Sequence, residues 1–178
     1  MWNYLTTNPQ VAASIAAVLS SITALIALGL STYGIISQRK HNRLSVRPVA
    51  YFTIGNYEND IYVKLRNYGT GPLVVGKLTV AAEREYPNLI DATVSKVGPL
   101  IWSDFVENIE GRTIPGGEAI VLLRYRPRLE NRNDIDDREK LRAALSKVSI
   151  QVEYKDIYGK KQDSVSRNLA AFNQQGNP

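Results

Sequence analysis

The chain has 178 residues, with 22 Lys and Arg against 17 Asp and Glu and no cysteine. Without cysteine it can hold no disulfide, thiolate-ligated metal or cysteine nucleophile. Of the net charge of +5, four positive charges come from Arg39, Lys40, Arg43 and Arg47. That leaves 22 − 4 = 18 basic against 17 acidic side chains elsewhere, so the basic balance gives no argument for bulk nucleic-acid binding.

No charged side chain occurs before Arg39, and Val11 to Ile36 is built of Ala, Ile, Leu, Val, Ser, Thr and Gly with one Tyr. As a helix this run would span ~39 Å, enough to cross a hydrocarbon core of about 30 Å with some tilt. A secretory signal would need a basic n-region and a shorter apolar core. The segment before the run has no Lys or Arg, and the basic cluster follows it. Lys and Arg mark the cytoplasmic side. The expected order is therefore an extracytoplasmic stub over 1–8, a transmembrane helix over 9–38 and a basic juxtamembrane stem over 39–47. A cytoplasmic domain over 48–170 and a disordered tail over 171–178 complete it. Asn8 would cap the helix and Pro9 open it. Trp2 and Tyr4 would sit in the outer interface and Tyr33 near the inner one. Arg39, Lys40, Arg43 and Arg47 would meet lipid headgroups. The only histidine, His41, lies in this stem and reads as an interfacial residue.

The helix surface is asymmetric. Ala13, Ala17, Ser20, Ala24, Ala27, Ser31 and Gly34 follow one another in alternating steps of four and three. This is a heptad seam of small residues, the kind that lets membrane helices pack closely, and its 3.5-residue period favours a left-handed supercoil. The expected assembly is a parallel homo-oligomer with the seam at its centre. With three or more helices around the axis, Ser20 and Ser31 would line a narrow pore; a dimer would have none. Composition alone also explains the stripe, since Ala and Ser are common in membrane helices.

In the rest of the chain, strands are expected over Pro48–Ile54, Ile61–Leu65, Leu73–Ala81, Glu118–Arg126, Val148–Tyr154 and Lys161–Leu169, from β-forming residues and period-two alternation. Asn67–Pro72, Ile114–Gly117 and Asp156–Gly159 read as turns. Short helices are expected near 88–97 and over Asp136–Ser146. Six or more short strands imply an all-β sandwich with a short helix.

The motifs LRNYGTGPL (Leu65–Leu73), IPGGE (Ile114–Glu118) and VEYKDIYG (Val152–Gly159) resemble those of bacterial immunoglobulin-like β-sandwich domains, over about residues 48–170. They shape turns and carry no chemistry. One N-terminal helix followed by a small cytoplasmic sandwich also resembles the transmembrane effectors of bacterial antiphage systems, the Hailong-type effector channels among them. There a nucleotide or oligonucleotide signal controls a membrane oligomer. The likeness is architectural, and no functional residue is carried over from it.

No phosphate loop, GxSxG, HExxH, EF-hand or dinucleotide fingerprint occurs. Asp134, Asp136, Asp137 and Glu139 alternate with Arg132, Arg138, Lys140 and Arg142, the pattern of a solvated, ion-paired face. No enzyme activity, cofactor or metal is expected. The candidate ligand site is Arg124, Arg126 and Arg128, at steps of two, with Tyr125 beside them as a stacking surface. If the strand continues through Pro127, their spacing of roughly 6.6–6.8 Å matches consecutive phosphates. The alternative is that these arginines pair with Glu130, Asp134 and Asp136, or blunt a sheet edge. Lys160 and Lys161 form a second, weaker basic patch.

The function expected is a homo-oligomeric effector of the bacterial inner membrane, an ion channel controlled by a nucleotide or short oligonucleotide on its cytoplasmic domain. The alternative is a non-enzymatic, membrane-anchored interaction module that recruits a cytosolic protein.

Overall fold

The computed structural model describes residues 9–98, 100–128 and 132–173. The stub, with Trp2, Tyr4 and the Asn8 cap, lies outside these residues, as do Glu130 and the tail beyond Asn173. The chain forms two units, a helical one ending at Ser45 and a domain beginning at Val46.

The first unit is one helix, α1 (Pro9–Ser45). It extends through the stem expected to follow it, because nothing from Ser37 to Ser45 breaks a helix: there is no Gly or Pro, and Arg39, Lys40, Arg43 and Leu44 are good helix formers. From Gln10 it is long and apolar enough to cross a bilayer, and none of its apolar window is buried. Ser14, Ser21, Thr23 and Thr32 each turn the hydroxyl back onto the carbonyl four residues earlier, at 2.8–2.9 Å, so these polar groups are satisfied within the helix.

In the domain the elements are β1 (Ala50–Asn56), β2 (Ile61–Asn67), β3 (Leu73–Ala81), β4 (Glu85–Tyr86), α2 (Leu89–Val97), β5 (Asp104–Phe105), β6 (Thr113–Ile114), β7 (Ala119–Tyr125), α3 (Arg132–Leu145), β8 (Ser149–Lys155) and β9 (Val165–Asn168), followed by a 3-10 turn over Ala170–Asn173. They make two antiparallel sheets. One has the order β1-β2-β7-β5; the other has the order β4-β3-β8-β9, with β6 also on β3. All pairings are antiparallel.

Alternation sets the faces. Ile61, Val63 and Leu65 point inward from β2 and are wholly buried, while Tyr62, Lys64 and Arg66 point outward. Leu73, Val75, Leu78, Val80, Ile150, Val152 and Tyr154 do the same for the second sheet, and one contiguous core joins both. The step from Val75 to Leu78 breaks the alternation because Gly76 is an extra residue between Val75, opposite Tyr154, and Lys77, opposite Glu153. Leu141, Ala144 and Leu145 bring α3 onto the same core, and α2 packs against α3. Asn88 caps α2 by accepting from the Asp91 amide at 2.8 Å.

Further boundaries differ from the sequence reading: the last strand runs over Val165–Asn168 and does not begin at Lys161, which makes only an isolated bridge to Lys155. α3 starts at Arg132, a turn before Asp136, so its acidic residues fill the first two turns rather than mark the first one. The domain also extends past residue 170: Phe172 is 1% exposed and belongs to the core.

Candidate functional site

The outward face of the β1-β2-β7-β5 sheet carries the side chains most suited to an anionic, base-bearing ligand. Opposite residues in the ladder are Tyr51 with Arg66, Thr53 with Lys64, Gly55 with Tyr62, and Tyr62 with Arg124. The Tyr62 ring lies across Gly55, where a Cβ would collide with it. Lys64 Nζ is 4.4 Å from the Tyr62 ring centroid, and the Arg124 guanidinium is 5.8 Å away. Tyr57 stands 6.3 Å from Tyr62 between centroids. Toward the other end of the face Tyr51 meets Tyr68 edge-on at 5.7 Å, with Arg66 4.8 Å from the Tyr68 ring and Arg167 5.4 Å from that of Tyr51. Tyr51, Tyr57 and Tyr68 are exposed.

The arginine candidates arrive here only in part. Arg124 and Arg126 share the outward face, two residues apart as expected, and both turn to Asp60. Arg124 grips that carboxylate with Nε at 2.8 Å and with its second nitrogen on the other oxygen; Arg126 Nε is 3.6 Å away. The partner among the described residues is thus Asp60 in the β1–β2 turn and not Asp134 or Asp136; Glu130 lies outside those residues. Hydrogen bonds from Arg124 hold the Asp60 carboxyl below its ordinary range, against the opposing effect of burial. Asp60 in turn raises Arg124 further. Asp104 stands opposite Arg124 on β5 and its charge also acts on that guanidinium, so the two arginines face two carboxylates and Lys64 leaves one net positive charge.

Arg128 and Tyr125 do not join them. β7 ends at Tyr125, so no ladder continues through Pro127. Arg128 is exposed, and its amide donates to Asp134 Oδ2 at 3.0 Å. Tyr125 is 5% exposed; its ring packs edge-on against Trp102, and its hydroxyl donates to the Asp134 carbonyl at 3.3 Å. The physical reason is strand parity: a residue one step from Arg124 must face the opposite side of the sheet. Burial raises the Tyr125 phenol, with the Asp134 charge adding to it.

The aromatic partners that the sequence reading missed are Tyr51 on β1, Tyr62 on β2, and Tyr57 and Tyr68 just past the ends of those strands. The signal available was the outward set Tyr62, Lys64, Arg66 in a strand whose inward set is Ile, Val, Leu. The site is positioned from behind by α3. Arg142 is 7% exposed and donates to Asn56 Oδ1 at 2.8 Å, Glu139 at 2.9 Å and the Tyr57 carbonyl at 3.1 Å; Arg138 donates to the Glu58 carbonyl at 3.1 Å. These bonds fix the turn that presents Tyr57 and Asp60.

On α1 the seam residues Ala13, Ala17, Ser20, Ala24, Ala27, Ser31 and Gly34 are all exposed, as are Arg39, Lys40 and Arg43. Unlike Ser14, Ser21, Thr23 and Thr32, Ser20 and Ser31 have no hydrogen-bond partner among the described residues. Arg47 lies in the domain unit, where its Nε donates to Gln162 at 3.2 Å.

Comparison of the chain with protein-family profiles, with curated proteins and with solved structures finds no match.

Proposed function

We propose that this chain is a homo-oligomeric, single-pass membrane effector whose immunoglobulin-like cytoplasmic domain takes a nucleotide or short oligonucleotide on the outward face of the β1-β2-β7-β5 sheet. The observation that carries the ligand reading is the pairing of Tyr62 with Lys64 and Arg124, and of Tyr68 with Arg66, on one solvent-facing surface. Aromatic faces stack bases, and interleaved cations meet phosphates. The anion contacts of this reading are Lys64, Arg66 and Arg126, with Arg124 held by Asp60; Tyr62 and Tyr68 replace Tyr125 as the stacking surface. The exposed apolar helix supports a membrane location, and the seam hydroxyls of Ser20 and Ser31 support a bundle with a polar axis. A ligand that favours one arrangement of the domains would shift the bundle by its differential affinity for the two states. In a bacterial defence setting the output is ion flow.

The test uses the full chain in liposomes, with ion flux and oligonucleotide binding measured together. Tyr62→Ala combined with Lys64→Gln should weaken binding about tenfold or more, since one stacked base alone is worth ~1–3 kcal/mol. Binding should also weaken with salt, and flux should respond to ligand in the unmodified protein only. Unchanged binding in the variant rejects the site. Liposomes that stay tight while the domain still binds leave the recruitment module.

A further inference from the structure

A second basic surface lies on the other sheet and has no part in the site above. A cleft of about 770 Å³ opens on the outward face of β3 and β8, and its lining includes Lys77, Lys155, Lys161, Glu110, Glu153 and Gln162. Lys155 and Lys161 are direct antiparallel partners across the final hairpin. Like charges placed opposite one another in a ladder destabilise it. Even so, among the described residues none of the three lysines has a carboxylate within ion-pair distance; the six pairs found all lie elsewhere. The bulge at Gly76 brings Lys77 toward the same cleft, and a Cβ there would press on the Glu153 carbonyl at 3.0 Å. Gln162 accepts from Arg47, which follows the end of α1 by two residues. The two glutamates leave the lining with one net positive charge, to which Arg47 adds another.

We infer that this cleft binds a phosphate-bearing anion, held by Lys77, Lys155 and Lys161. A multi-oxygen anion between Lys155 and Lys161 turns a repulsive cross-strand pair into a bridged one. Lysine suits phosphate as a compact charge with three donors. The volume falls in the range that accommodates a small ligand and exceeds what a bare phosphate fills. Two sources share this chemistry: a soluble phosphate compound, and the headgroup of an anionic lipid.

The experiment is amine-reactive labelling of the full chain in nanodiscs, read by mass spectrometry at each lysine. One arm adds inorganic pyrophosphate to phosphatidylcholine discs. The other replaces part of the phosphatidylcholine by phosphatidylglycerol, with no pyrophosphate. Labelling of Lys77, Lys155 and Lys161 should slow by roughly fivefold or more, the factor one lysine contributes near an anionic surface, while exposed Lys147 is unaffected. Protection in the first arm identifies a soluble ligand, and in the second arm only, a headgroup. In Lys155→Gln with Lys161→Gln, protection at Lys77 should vanish. No protection in either arm, or equal slowing at Lys147, overturns the inference. Lys64 and Tyr62 variants should leave this protection intact, so its failure and that of the oligonucleotide site are read separately.

Discussion

Asn67 is wholly enclosed and joins three segments through its side chain. Its Oδ1 accepts from the Val49 amide at 3.1 Å and the Gly69 amide at 2.9 Å, while Nδ2 donates to the carbonyls of Gly71 at 2.8 Å and Ile114 at 3.0 Å. The motifs around Leu65–Leu73 and Ile114–Glu118, far apart in sequence, are thus tied by one amide. Asn67→Ala leaves buried backbone groups without this partner and should cost about 2–4 kcal/mol. Asn67→Asp should be no better, since it keeps the acceptor and loses the donors. Thermal melting of the full chain in detergent checks both. Asp60 gives a pH signature at the same scale. Its folded value lies below the ordinary 3.8 because Arg124 donates to the carboxylate. A depressed acid contributes stability that is complete above its unfolded value and lost as pH falls through the folded one. Melting temperatures taken downward from pH 7 should therefore show a steeper acid limb in the unmodified protein than in Asp60→Asn, the two converging at low pH. Parallel limbs would show that the pair does not stabilise the fold.

At the scale of elements, α3 holds the β1–β2 turn more firmly than its composition suggests. An alternation of Asp, Glu, Arg and Lys reads as a solvated face, and for Lys140 with Asp137 that holds, at 3.2 Å and with Lys140 exposed. Arg142 differs because the core stripe of Leu141, Ala144 and Leu145 turns it inward, against Asn56 and Tyr57. Arg142→Ala should cost about 3 kcal/mol, mostly from buried acceptors left unmet. It should also raise amide hydrogen exchange over residues 56–60 while leaving β3 and β8 protected. Uniform exchange would show that α3 does not position the turn. The same elements show what is legible locally. Period-two alternation locates β2, β3 and β8 to within about two residues, since one buried face per strand suffices to reveal them. The outward placement of Arg124 and Arg126 follows from the same rule, and so does the inward turn of Tyr125; a stacking role for Tyr125 on the arginine face runs against that parity. The pairing of Arg124 with Asp60 could not be read this way. It spans 64 positions and depends on β7 lying beside β2, a fact of topology. Composition likewise marks Lys160 and Lys161 as a basic turn, but only the hairpin register sets Lys161 against Lys155.

For the whole molecule the decisive question is what covers α1. Its apolar window is entirely unburied within one chain; in the proposed membrane placement lipid or other copies of the helix would cover it. Lipid has no preference for one side of a helix, whereas a partner helix does: it packs where small side chains allow backbones to approach. The seam places Ala13, Ala17, Ala24, Ala27 and Gly34 along one stripe, and between them Ser20 and Ser31 keep their hydroxyls unspent. In a bundle those hydroxyls can bond across the axis or hold water; facing lipid they have nothing to bond but their own backbone, as Ser14 and Ser21 do. Adding volume to the seam should therefore act on assembly and on little else. Ala24→Leu or Ala27→Leu should shift cross-linked ladders of the full chain in bilayers toward smaller species, at a cost of ~1–3 kcal/mol of packing. Leu25→Ala, a quarter-turn away, should leave the ladder unchanged. The melting of the domain should be the same in all three, because residues before Val46 form a separate unit. Equal ladders for seam and off-seam variants would mean that the stripe is composition alone, and the anchor would then be a single helix in lipid.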